Sequence, residues 1–280
     1  MSLELPIYKE FIAMPSVVGH PQGNIEAIAF VIKFLEGLGF DIRITDIEKT
    51  EQPTIIAHYP GRLSDNKIVI YGHYDVAPVK ELNSWVSEEA FTLENINGRL
   101  YGRGIADNKG PLMARMIALK SLILSDKAIP EILWLIQGEE EITQGDRVAH
   151  DIFKDEIPAF GAPVYIEETG FNDLDSNTQI AFLWSPDKSD SELIPWHSLL
   201  ESSLDSPRIE YRHLNKLNGI KACPLLYNLP KNAVYMGFGP NDRLHFIHRD
   251  NESLNENKLL KHQQQFEKFL ANYALYNDES

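Results

Sequence analysis

His73 and Asp75 stand two residues apart in Gly72-His73-Tyr74-Asp75, so on an extended segment both side chains leave the same face. A neutral imidazole so placed can bind a metal through one nitrogen while the carboxylate holds its other N–H. That spacing is common by chance and gains weight only beside other candidate ligands. Glu139-Glu140-Glu141 follows the apolar run ILWLIQ, Glu167-Glu168 follows VYI, and His245 and His248 follow VYMGFGP after a short loop. Asp107 lies in GRGIADNKG, ahead of a helical pattern. Carboxylates gathered in one crevice repel and take up protons unless a cation neutralises them. With imidazoles present and no thiolate in the motifs, Zn²⁺, Co²⁺ or Mn²⁺ suits such a set. Plainer readings stand beside this one. Asp107 could simply cap a helix, and three acids in a row are most often solvated surface. GRGIADNKG has neither the P-loop nor the dinucleotide glycine spacing, which argues against a nucleotide site.

These residues need a frame that brings distant segments together. Ile25, Ile28, Ala29, Ile32 and Leu35 recur at three- and four-residue steps, predicting a helix over 24–38 that ends near Gly37 or Gly39. Gly110-Pro111 opens a second helix of about four turns, with Leu112, Met116, Leu119 and Ile123 expected on one face. Short apolar runs at 54–58, 67–71, 131–136, 164–166 and 233–236 read as strands, and 254–273 as a surface helix packed by one stripe. Helices alternating with such runs predict a single α/β domain over 1–280, with a mainly parallel, mixed central sheet flanked by helices. In such sheets functional groups gather at the carboxyl ends of the strands, where the candidate ligands fall. The stretch 172–231 patterns weakly, with SPDKSDSE and LDSP reading as loops.

Of the 280 residues 43% are hydrophobic, enough for a real core. Against 26 Lys and Arg stand 41 Asp and Glu, a formal charge of -15 that argues against nucleic acid or an anionic membrane as partner. Cys223 is the single cysteine, and the first residues lack a basic region followed by an uninterrupted apolar run, so the expected location is the cytoplasm. The longest apolar stretches fall short of the roughly 20 residues of a membrane-spanning helix.

Taken in order, GHYDVAPV with Trp85 and Phe91, NGRLYGRGIADNKG, LIQGEEE, VYIEETG, and MGFGP with HRDNE resemble the zinc metallopeptidase and deacylase family of acetylornithine deacetylase, succinyl-diaminopimelate desuccinylase, aminoacylase and carboxypeptidase G. The resemblance implies His73 and Glu167 as ligands of one metal, Glu141 and His248 as ligands of a second, and Asp107 bridging the two. It implies Asp75 as the carboxylate orienting His73 and Glu140 as the general base. Glu167 is preferred to Glu168 because Glu-Glu-Thr-Gly resembles the family's Glu-Pro-Thr, and His248 to His245 because HRDNE keeps a His-x-x-Asn-Glu pattern. The implied reaction is amide hydrolysis of a small peptide or N-acyl amino acid, with two divalent ions, zinc first and cobalt or manganese as alternatives, activating a water.

In that family a lid domain usually lies between the strand ending at Glu167 and the one beginning at Ala233, where this chain has only about 65 residues. The expectation is therefore a lidless protein, a monomer or an oligomer formed without a lid, with NGIKACP the nearest match to the family's substrate-binding segment. A lidless aminopeptidase-like enzyme and a metal-binding protein with little turnover are the alternatives.

Overall fold

A computed structural model of the chain describes residues 2–45, 50–79, 84–142, 145–168, 170–173, 175–213 and 223–277. Helices α1 (Leu5–Ile12) and α2 (Pro21–Glu36) precede strands β1 (Asp41–Ile44), β2 (Ile55–Tyr59) and β3 (Lys67–His73). There follow β4 (Glu94–Ile96), β5 (Arg99–Tyr101), α3 (Lys109–Ile123), β6 (Glu131–Gln137), α4 (Gly145–Phe160), β7 (Val164–Glu167), β8 (Phe171–Asn172) and β9 (Gln179–Trp184). The chain continues through α5 (Ile194–Ser203), β10 (Arg208–Glu210), α6 (Pro224–Tyr227), β11 (Val234–Gly237), β12 (Asn241–Asp242), β13 (Ser253–Asn255) and α7 (Glu256–Ala274).

The central sheet runs β1-β2-β6-β3-β7-β11-β9-β8-β12, with β10 added on β9. Its middle is parallel, β6 with β3, β3 with β7 and β7 with β11, and its flanks carry antiparallel pairs. Those middle strands are apolar on both faces because helices cover both. Ile68 and Ile70, Trp134 and Ile136, and Val164 and Ile166 join the cluster under α1, α2, α3 and α7. Val69 and Tyr71, Leu133 and Leu135, and Tyr165 face the cluster that includes Phe153 and Ile157 of α4 and Leu225 of α6. Each fully buried aliphatic side chain of this kind contributes about 1.5–3 kcal/mol. A small antiparallel sheet, β13-β5-β4, flanks the site described below.

The five strand-like runs all become strands within one or two residues of their expected bounds. Helix α3 departs from the expected single apolar face. It is buried on nearly every side, Lys109 and Arg115 included, because it lies between the sheet and α7. The weakly patterned stretch contributes β9 and β10 to the central sheet and α5 against α7, while SPDKSDSE and LDSP are the connections expected. After Gln179, QIAFLW is apolar without interruption, so it lacks the alternation that marks a half-exposed strand. Most of NGIKACP lies outside the described residues. Among the described residues no helix is long and apolar enough to cross a membrane.

Arg115 and His262 form a buried polar contact inside this packing. Arg115 Nε donates to His262 Nε2 at 3.3 Å, so the neutral ring carries its proton on Nδ1. Burial, with the guanidinium beside it, holds the His262 imidazole well below its ordinary value. The unfolded chain therefore binds a proton near pH 6.5 that the native state refuses, and stability present above that pH falls as pH is lowered through it, by about 1.4 kcal/mol per pH unit. Urea unfolding of H262N between pH 7 and 5 is expected to lose this part of the acid sensitivity; a slope identical to wild type would remove His262 as its source.

Candidate metal centre

The parallel strands end together, and their loops converge on one crevice. His73 is the last residue of β3, paired in register with Gln137 of β6, and Glu167 ends β7 opposite Gly237 of β11. Glu139, Glu140 and Glu141 follow β6, Glu168 follows β7, Asp107 leads into α3, and His248 lies in the loop between β12 and β13. The Asp107 loop depends on glycine: a Cβ on Gly110 would stand 1.9 Å from the Ile105 carbonyl oxygen, and the Gly110 N–H donates to the Gly104 carbonyl at 3.0 Å.

His73 Nε2 lies 3.0 Å from Asp107 Oδ1 and 3.6 Å from Glu168 Oε1. His248 Nε2 lies 3.2 Å from Asp107 Oδ2 and 2.8 Å from Glu141 Oε2. Asp107 thus turns one oxygen to each imidazole. Among the described residues two groups can present three ligand atoms within 4.8 Å of one another, His73–Asp107–Glu168 and Asp107–Glu141–His248. Glu140 Oε2 stands 3.9 Å from His73 Nε2, beside both groups.

Behind His73 the fully buried Asp75 serves more than one neighbour. Its Oδ1 lies 3.3 Å from His73 Nδ1, and its two oxygens accept the backbone N–H groups of Glu140 at 3.2 Å and Glu141 at 2.9 Å. One carboxylate therefore fixes both the ring and the turn that presents the two glutamates.

Burial and the close approach of imidazoles and carboxylates shift the titration of the crevice. Burial would lower the His73 imidazole, but Glu168, Asp107, Asp75 and Glu140 together hold it well above its usual value. Hydrogen bonds to Asp107 and Glu141 push His248 up to about 10. Burial works to raise Asp107, but the two histidines outweigh it and hold the carboxyl below the usual range. Burial raises Glu140 to about 7, with Asp107, Asp75 and Glu141 adding to the rise and His73 opposing it. Glu168 is driven well up for similar reasons. Glu141 Oε1 and Glu168 Oε2 are buried without a hydrogen-bond partner. Two imidazoles facing clustered carboxylates with orphaned buried oxygens match the donor set of a divalent cation, which would offset the repulsion among the carboxylates.

The sequence-expected residues His73, Asp75, Asp107, Glu140, Glu141 and His248 all converge here. Glu167 does not join them. Its carboxylate accepts a hydrogen bond from Tyr235 on the opposite face, following Tyr165 in the strand's alternation, while Glu168 beyond the strand end turns to His73. His245 stays outside both groups, its Nδ1 accepting from the Ile247 N–H at 3.2 Å. Sequence reading missed Arg115, whose guanidinium donates to the carbonyls of Tyr71, Glu167 and Phe238 and so ties the ends of β3 and β7 to the segment after β11. A lone arginine within an apolar helical stretch was the available signal.

Histidines and carboxylates grouped at the carboxyl edge of an α/β sheet offer the donor set of a metal centre. Residues 69–194 match the model of peptidase family M20/M25/M40. Over 136 residues, 48% of this chain and 34% of the relative, it is 34% identical to a succinyl-diaminopimelate desuccinylase of Legionella pneumophila. Over 148 residues, 48% of this chain and 30% of the relative, it is 27% identical to a beta-Ala-His dipeptidase of Mus musculus. The matched segment thus spans about a third of each relative's length. The fold superposes on the M20 family metallo-carboxypeptidase Sso-CP2 of Sulfolobus solfataricus with a TM-score of 0.70 at 16% identity, covering 99% of this chain and 100% of that one.

Proposed function

We propose that the chain is a metal-dependent hydrolase that cleaves the amide bond of a small peptide or N-acyl amino acid. The observation that carries this reading is the pair of ligand groups sharing Asp107, with Glu140 standing beside both. His73 and Glu168 would hold one divalent ion, Glu141 and His248 a second, and Asp107 both. Imidazole and carboxylate donors favour zinc, with cobalt or manganese as substitutes. When bound, such ions acidify water, polarise the scissile carbonyl and stabilise charge on its oxygen. The remaining work belongs to the chain. Glu140, with a carboxyl raised to about 7, is matched to taking a proton from the attacking water and returning it to the departing amine nitrogen. Asp75 keeps His73 in one orientation and fixes the Glu140 and Glu141 backbone.

The names of the relatives support the substrate class, since one acts on a dipeptide and another on a succinylated amino acid. We also propose a single domain without a lid, on the observation that the described part of 172–231 builds central-sheet strands and a helix against α7. A panel of dipeptides and N-acyl amino acids, assayed after loading with Zn²⁺, Co²⁺ or Mn²⁺, is expected to contain hydrolysed members. Two bound metals with no turnover of any member would leave a binding protein instead. Faster hydrolysis of substrates with a free α-amine than of those with a free α-carboxylate alone would favour an aminopeptidase.

The choice between adjacent glutamates has its own test. E168A is expected to weaken the first metal by more than about 100-fold, beyond the 10–100-fold typical of losing a group behind a ligand, while E167Q stays within about 10-fold. Stepwise zinc titration against a chromogenic chelator reads both. The reverse order would restore Glu167 as the ligand.

A further inference from the structure

The segments that supply Asp107 and His248 are joined by one buried side chain, Glu252. Its Oε1 accepts the backbone N–H groups of Gly104 at 3.1 Å, Ala106 at 2.8 Å and Asp107 at 3.0 Å. Its Oε2 accepts from Arg103 Nη1 at 2.7 Å, and the Arg103 guanidinium lies over the Trp85 ring. The backbone adds to this tie, since the Gly102 N–H donates to the Glu252 carbonyl at 3.1 Å. Glu252 is 1% exposed and follows His248 by four residues. Between them Asn251, in the left-handed region at φ 61°, is held by the Val86 N–H at 2.8 Å and the Ser84 carbonyl at 3.1 Å.

We propose that Glu252 is a positioning residue that sets Asp107 and His248 relative to one another and thereby governs affinity for the second divalent ion. The inference rests on the ligand assignment proposed above. Three backbone N–H groups converging on one carboxylate oxygen hold the loop 104–107 in a single arrangement, because releasing the oxygen would strand buried donors. That loop carries Asp107, and the chain leaving Glu252 in the other direction carries His248. The first group is less dependent on this link: His73 sits on β3 and Glu168 at the end of β7, neither of which Glu252 touches. Loss of the carboxylate therefore loosens both ligands that face one ion and only the shared ligand of the other.

Stepwise zinc affinity of the full chain tests this by competition with a chromogenic chelator, alongside urea unfolding, for wild type, E252A and R103M. In E252A, which removes the oxygen that accepts the three N–H groups, the second equivalent is expected to weaken at least about tenfold more than the first, the range seen when a group behind a ligand is lost. R103M leaves the three N–H bonds to Glu252 intact; it is expected to lower stability while preserving the ratio of the two affinities. If E252A does not fold, E252D, which keeps the charge and shortens its reach, is expected to show the same selective loss. Equal weakening of both equivalents, or none, in the folded variant would overturn the inference, as would R103M reproducing the selective loss. Wild-type protein that binds one equivalent or none would instead sink the ligand assignment on which it rests.

Discussion

E140A protein is expected to bind both metals at wild-type stoichiometry and to hydrolyse its substrate about 10²–10⁴-fold more slowly, the contribution of a positioned general base. Glu140 stands outside both ligand groups, and its Oε2 lies 3.9 Å from His73 Nε2, the ring nitrogen that faces Asp107 and Glu168. Its carboxyl is raised by burial and by three neighbouring carboxylates, so near neutrality it can both accept and release a proton. A bound cation would shift that balance toward the ionised, proton-accepting form. The fall should appear in kcat with little change in KM, because the group acts on the proton in flight rather than on substrate binding. Elemental analysis on the same preparation separates this outcome from simple metal loss. Equal turnover by E140A and wild type would remove Glu140 as the base.

D107A is expected to be more damaging, lowering affinity for both metals by more than about 100-fold and reducing hydrolysis to background. The reason is geometric. Asp107 gives Oδ1 to His73 and Oδ2 to His248, and it belongs to both ligand groups. Every other candidate ligand belongs to one. H73A, by comparison, should weaken one metal and leave the Asp107–Glu141–His248 group in place. D107A retaining one tight equivalent would show that the two groups do not share this carboxylate in solution.

Much of the centre was legible because parallel strands advertise their ends. Runs such as IVIY, ILWLIQ and VYI are apolar without interruption, and the residues after them must leave the packed layer. That Glu168 rather than the expected Glu167 turns toward His73 has a physical reason. Side chains in a strand alternate, so a shift of one residue exchanges the two faces. In Val164–Glu167 both faces are buried, and the run gives no sign of which one looks toward His73. The expected stripe on α3 failed similarly, since a helix covered by a sheet on one side and α7 on another has no polar face to contrast. Glu252 sat in plain view in HRDNE, yet its role depends on N–H groups almost 150 residues away in sequence. No local spacing encodes such a contact.

Metal stoichiometry decides the central claim most directly. Protein purified without chelator and then supplied with Zn²⁺ is expected to hold two ions per chain by elemental analysis, falling in E141A, which removes a ligand from one group only. Stoichiometry that stays at one per chain or below even after reconstitution, or that E141A leaves unchanged, would contradict the two-ion centre on which the hydrolase reading rests.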